Sequence, residues 1–197
     1  MSRDLVLEIG CEEIPARLMP DTLNQLKELA TDKFQVMRLS YTDIETLGTP
    51  RRLVLVVGNL AEETASYEYE VKGPPAKAAY DAAGQPTRAA QGFAKSQGVE
   101  LSALTVRTVE GGEYVFATKR EHGRPVQQVL TEVLPALVRA LAFPRPMRWG
   151  NREIKFVRPI RWLLALFGSE VITFELEGIK SDRYTFGHRF LAPGPFA

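Results

Sequence analysis

The chain has 197 residues, 45% hydrophobic, 25% charged and 9% aromatic, with a formal net charge of +1. That composition is that of a folded globular chain and excludes the polar, aromatic-poor profile of a disordered one. A single cysteine, Cys11, excludes an intramolecular disulfide, and with only His122 and His188 beside it a Cys/His-rich zinc cluster is excluded too.

The N-terminal stretch, MSRDLVLEIG, has Glu8 inside its short apolar run and no small-residue cleavage pattern, so it is not a secretion signal. The longest strongly apolar run, residues 162–167, is too short to span a bilayer. The expected compartment is the reducing cytoplasm, with no membrane partner. Residues 4–9 alternate, with Leu5, Leu7 and Ile9 on one face, which predicts a half-buried strand ending at Gly10. Pro15 and Pro20 break up the segment that follows. Asp21 is placed to cap a helix running to about Arg38, with Leu23, Leu26, Leu29 or Ala30, Phe34 and Met37 at helical spacing.

Residues 53–60 are nearly all apolar and read as a strand buried on both faces. Residues 66–72 alternate Tyr67, Tyr69 and Val71 against Glu68 and Glu70, an antiparallel strand with one wet face. Lys72-Gly73-Pro74-Pro75 punctuates the chain. Residues 76–97 read as helix in two pieces, split at 81–86 and closed by Gly98. Residues 105–109 and 114–120 flank Glu110-Gly111-Gly112-Glu113 and predict a hairpin. The clearest helix is 126–141, with Val129, Leu130, Val133, Leu137 and Leu141 as its stripe. Strands are expected at 153–157, 160–167 and 171–176, the last two joined by a tight turn at Gly168-Ser169. Without strict βαβ alternation, the fold class is α+β, with mixed or antiparallel sheets and packed helices. The punctuation either separates subdomains at 1–72 and 73–192 or is a loop within one body, and a Pro/Gly-rich linker is expected at 193–197.

The charge is unevenly spread. Residues 1–72 carry 8 Lys and Arg against 13 Asp and Glu, a balance of −5. Residues 73–141 carry 8 against 6 (+2), and residues 142–197 carry 9 against 5 (+4). Within the last third, Arg145, Arg148, Arg152, Lys155, Arg158 and Arg161 fall in 18 residues, opposed only by Glu153 and interleaved with Trp149, Phe156 and Trp162. Guanidinium groups bind phosphate bidentately and aromatic rings stack on unpaired bases, so this segment is a candidate nucleic-acid surface, with Lys180, Arg183, His188 and Arg189 as a second group downstream. The same pattern also suits a structural or protein-interface role, with the tryptophans in the core beneath cation–π neighbours.

Chemistry-bearing motifs are few. Neither a phosphate loop nor a dinucleotide fingerprint is present. Cys11 beside Glu12 and Glu13 is the nearest thing to a catalytic cluster, but a thiol nucleophile needs a base and both histidines are distant in sequence. Neither catalytic nor metal-ligating residues are assigned, and the two glutamates are expected to cap or pair with something nearby.

Eight stretches, in order, resemble the beta-subunit family of the bacterial two-subunit glycyl-tRNA synthetases. They are LVLEIGCEEIP (5–15), TPRRL (49–53), KGP (72–74), AAQGFAKSQG (89–98), GEYVFA (112–117), FPRPMRWG (143–150), FVRPIRW (156–162) and GHRFL (187–191). The resemblance implies a part of an α2β2 heterotetramer that joins glycine to tRNA(Gly) using ATP with magnesium, the adenylation site being in the alpha subunit. It implies no cofactor in this piece and a role in tRNA binding, in assembly with the alpha subunit, or in both. Family beta subunits are several times longer and include an HD-type domain and an anticodon-binding domain, so the chain is expected to be a piece of one. The family usually has a small residue such as Thr where Cys11 stands.

Overall fold

The alternation at the N-terminus builds the central strand of a sheet. In the computed structural model, which describes residues 2–81, 83–109, 111–192 and 194–197, β1 (Ser2–Cys11) lies between β3 (Arg52–Ala61) and β7 (Ile160–Phe167), antiparallel to both. Met1, Ala82, Glu110 and Pro193 lie outside the described residues. They belong to the expected N-terminal stretch, the break between helix pieces, the hairpin loop and the linker. The registers Leu7↔Leu55 and Leu7↔Ala165 put Leu5, Leu7 and Ile9 level with Leu53, Leu55 and Val57 on one side and Leu163, Ala165 and Phe167 on the other. All are buried, and they form one face of the main core.

That face is covered by two helices, α1 (Met19–Val36) and, after the intervening elements, a long helix spanning Val126–Ala140. In α1, Thr22, Leu26, Ala30 and Phe34 are buried at every fourth position, the spacing that keeps one stripe inward. Asp21 falls in the first turn rather than capping the helix, and Pro20 opens it instead of breaking it, since the first turn has no use for the missing N–H. The Gln25 side chain accepts a 2.6 Å bond from the Ala142 N–H, which ties α1 to the chain leaving the second helix.

The sheet is completed by β2 (Asp43–Thr49) on the β3 edge. β3 differs from the expectation of burial on both faces. Leu53, Leu55, Val57 and Leu60 are buried, while Val54, Val56 and Gly58 are half-buried and Asn59 is exposed, because helices cover only one side.

Between β3 and the long helix the chain builds a second compact unit, Ser66–Gly123, inserted into the first, Met1–Ala65 with Arg124–Ala197. This differs from consecutive subdomains at 1–72 and 73–192. The Lys72–Pro75 punctuation lies inside β4 (Tyr67–Pro75), which pairs with a strand about 45 residues downstream that local sequence does not announce. The inserted unit continues with α2 (Ala76–Ala79), α3 (Arg88–Gln97), β5 (Leu104–Val109) and β6 (Gly112–Glu121), its sheet running β4-β6-β5. Thr87 caps α3, Gly98 closes it in the left-handed conformation, and Ala79, Ala90, Ala94, Val115 and Ala117 form a small separate core.

The chain returns through α4 (Val126–Ala140), whose apolar side is buried while Gln128, Thr131, Glu132 and Arg139 are exposed, to a loop at 141–159. The strand expected at 153–157 does not form. Ile154 and Phe156 do point inward, but their only ladder is an isolated bridge from Phe156 to Met147. After β7, the Gly168-Ser169 turn leads to β8 (Glu170–Val171), then β9 (Glu175–Leu176) and β10 (Ile179–Asp182). β10 runs parallel to β7, which makes the sheet mixed. Ser181 fixes this corner, its buried hydroxyl donating to the Ile172 carbonyl and accepting from the Phe174 N–H, both at 2.8 Å. The last pair is β11 (Thr185–Phe186) with β12 (Pro195–Phe196), so two residues of the expected linker are in a short sheet. The class is α+β, as the sequence implies.

The α1 stripe is the test of this packing. Leu26→Ala is expected to lower unfolding free energy by about 2–5 kcal/mol, whereas Val36→Ala, 73% exposed on the same helix, changes it by less than about 0.5 kcal/mol, both read from urea denaturation midpoints.

Candidate nucleic-acid interface

β1 carries one charge in the middle of its buried length. Glu8 is only 6% exposed, and strand alternation turns it away from the helices onto the face it shares with Gly10, Arg52 and Trp162. Its Oε1 accepts hydrogen bonds of 2.6 Å from Trp162 Nε1 and 2.6 Å from Thr185 Oγ1. Its Oε2 is paired with Arg52 Nη1 at 3.3 Å. Arg52 extends the network, with Nη1 reaching Thr185 Oγ1 at 3.3 Å and Nη2 donating to the Phe186 carbonyl. A single carboxylate thus holds β1, β3, β7 and β11 together.

Trp162 is packed on both sides. Its indole lies directly over Gly10, where an added Cβ would come within 1.9 Å of the ring. The Arg52 and Arg51 guanidinium carbons lie 5.8 and 6.0 Å from its ring centroid, and the Phe186 ring is 4.9 Å away. With 8% exposure it is a floor beneath arginines, not an open stacking platform. Above it is a cleft of about 440 Å³, whose cations are Arg51, Arg52 and Arg189 and whose rings include Phe186, His188, Phe190 and Phe196. Arg161, Trp162 and Arg189 also line an adjoining cleft of about 330 Å³.

The sequence-level candidates therefore separate. Trp162, His188 and Arg189 come together in the larger cleft, with Arg161 beside them. Arg161 faces Glu12 at 3.4 Å and Arg189 faces Glu13 at 4.0 Å, so each acidic neighbour of Cys11 has an arginine opposite it. The remaining candidates lie on the 141–159 loop. Arg145, Arg148 and Lys155 are exposed and have no ion pair among the described residues. Arg152 is half-buried, 5.9 Å above the Trp149 ring, with a buried Nη1 that has no hydrogen-bond partner. Arg158 donates from Nη1 to the Val157 carbonyl at 2.9 Å.

Arg51, Arg52 and Glu8 are absent from the sequence-level candidates. The one available signal was Glu8 itself, a carboxylate in an otherwise buried strand, which must find a cation and donors wherever the strand pairs. Among the described residues, no group of three or more His, Cys, Asp or Glu side chains is arranged to hold a metal ion, and no helix is long and apolar enough to cross a membrane. Cys11 is fully buried under α1 and α4, and burial pushes its thiol up to about 12.

A chain with this mixed sheet, this buried carboxylate and a divided set of arginines is matched over residues 5–197 by the family described as glycyl-tRNA synthetase beta subunit. The chain belongs to that family. It is 55% identical over 98% of its length to a protein named glycine–tRNA ligase beta subunit from Desulforamulus reducens, and 57% identical over 99% to one of the same name from Moorella thermoacetica. A third, from Desulforudis audaxviator, is 52% identical over 98%. The chain spans 28% of the length of each of these relatives.

Two outcomes follow from the geometry. Glu8→Ala leaves the Trp162 N–H and the Arg52 guanidinium without their acceptor and is expected to lower stability by about 2–4 kcal/mol, with a red shift of tryptophan emission. The neutral Cys11 thiol is favoured by the fold, so its contribution is complete below the ordinary value of 9.0 and is lost as pH rises toward about 12. Labelling by a thiol-specific disulfide reagent at pH 8 should accordingly stay slow until denaturant unfolds the chain.

Proposed function

We propose that this chain is the part of a glycine–tRNA ligase beta subunit that contributes tRNA binding to an enzyme joining glycine to tRNA(Gly) in the cytoplasm. In this reading the whole enzyme is an α2β2 heterotetramer that uses ATP with magnesium. Adenylation chemistry belongs to the alpha subunit, and the present chain is non-catalytic. Its own residues do not fit a magnesium–ATP site, since the cleft cations face only Glu8 and Glu13, each already opposite an arginine.

The observation that carries the reading is the unpaired basic loop. Arg145, Arg148 and Lys155 are exposed, carry no ion pair among the described residues, and stand on a loop anchored to the core through Phe156 and the Met147 bridge. Free guanidinium and ammonium groups on an anchored loop suit phosphate contact, because each contact releases condensed counterions without breaking an internal pair. Arg152 suits it less, being packed on Trp149.

A second reading, assembly on the alpha subunit without direct RNA contact, is favoured by one feature. Phe190 and Leu191 are 78% and 85% exposed side by side, the kind of apolar pair that protein interfaces bury.

Titration of labelled tRNA(Gly) with the chain at two salt concentrations separates the readings. Binding is expected to weaken steeply with salt, and Arg145→Glu/Arg148→Glu is expected to remove at least two phosphate contacts, lowering the log–log salt slope by about 0.7–0.9 for each. Thermal stability should hold to within about 0.5 kcal/mol, since both side chains are exposed. An unaltered slope in the folded variant, together with a stable complex with the alpha subunit, would move the case to assembly.

A further inference from the structure

The cleft over Trp162 is the best-built concavity that the loop reading leaves unused. Its floor is rigid because Trp162 is fixed by Gly10 below and by Glu8 at its N–H. Two of its cations differ in kind. Arg52 is fully engaged by Glu8, Thr185 and the Phe186 carbonyl, whereas Arg51 lines the cleft with a buried Nε that has no hydrogen-bond partner. Arg189, across the cleft, meets Glu13 only at 4.0 Å, a separation at which a partly exposed pair is weak. Among the described residues, Glu13 is the only carboxylate lining the cleft.

The rim is aromatic and wet. Phe190 and Phe196 are 78% and 52% exposed, an unfavourable position for large rings unless something flat covers them. Phe190 is nevertheless held in place. His188 Nδ1 accepts from the backbone N–H groups of Phe190 and Leu191, each at 3.3 Å, and the Arg189 guanidinium lies 5.5 Å from the Phe190 ring centroid. A ring presented on a hydrogen-bonded turn, beside cations with spare donors, is the arrangement that receives a base on its face and a phosphate at its edge.

We propose that this cleft is a seat for one unpaired nucleotide of an RNA, the base stacked on Phe190 and Phe196 and the phosphate held by Arg51 and Arg189. The volume, about 440 Å³, suits a single nucleotide. A duplex does not fit, since paired bases offer no free face. This proposal rests on the RNA-binding reading but uses different residues from the basic loop.

The test uses the chain itself with two labelled probes, a single-stranded tetraribonucleotide and a fully paired RNA duplex, followed by fluorescence anisotropy. The tetranucleotide is expected to bind in a salt-dependent manner, and Phe190→Ala and Arg51→Gln are each expected to weaken it on the order of tenfold. Duplex binding should be lost in Arg145→Glu/Arg148→Glu and unchanged in Phe190→Ala. Phe190 is exposed enough that its removal leaves the fold intact, which circular dichroism checks. If the tetranucleotide fails to bind, or binds Phe190→Ala as well as the parent, the seat is wrong while the loop reading stands or falls on the duplex alone. If Phe190→Ala instead breaks a complex with the alpha subunit and no tetranucleotide binds, the cleft is a protein-docking surface and the proposal falls.

Discussion

The structure depends on a buried carboxylate that must be satisfied. An ionised group at the position of Glu8 is tolerated only with a full set of partners, and those partners come from every element that borders the site: Arg52 from β3, Trp162 from β7 and Thr185 from β11. Hydrophobic packing on the helix-covered face supplies the bulk of the driving force, but it is non-directional. The reverse face, with only one strong polar anchor, is where the strand ends are fixed relative to one another. The position of Arg52, the flat seat of Trp162 and the anchoring of the β11–β12 pair near Phe186 all trace to that anchor.

Gly10 is the second condition. The indole of Trp162 needs a place where a neighbouring strand has no side chain, and the β1–β7 register puts Gly10 directly opposite it. A charge at one position and the lack of a side chain two residues later therefore act as a pair. The first binds the indole's edge and the second accommodates its face. Adjacent Cys11 is buried on the helix side, where burial pushes its thiol up.

Much of the fold was legible because it is written in local periodicity. The alternation of β1, the fourfold spacing of α1, the capped α3, the hairpin flanks and the long apolar α4 all appear from short windows of sequence. What stayed hidden is non-local. Nothing near Lys72–Pro75 says that this stretch pairs with residues 114–116, and nothing in four residues at 179–182 says that they lie parallel to β7. Residues 153–157 alternate like a strand, yet no neighbouring strand is available for them beyond a single bridge. The site divided for the same reason. Six basic residues close in sequence look like one patch, but a loop and a strand send them to different places, while Arg51 and Arg52 arrive from more than a hundred residues upstream to stand over Trp162.

The two crossings between the host unit and its insert lie side by side. The Thr64 N–H donates to the Arg124 carbonyl at 3.0 Å, the Arg124 N–H donates to Thr64 Oγ1 at 2.9 Å, and Glu63 bridges Pro125. For the host, residues 66–123 amount to an elaborated loop whose ends are already closed. Loop-closure entropy grows only slowly with length, so the host fold is nearly indifferent to how much chain passes between those two residues. A short turn in place of the insert would satisfy the same three contacts. The small unit thus hangs on a closed junction, and a change in its length or surface does not require the sheet around Glu8 to be rebuilt.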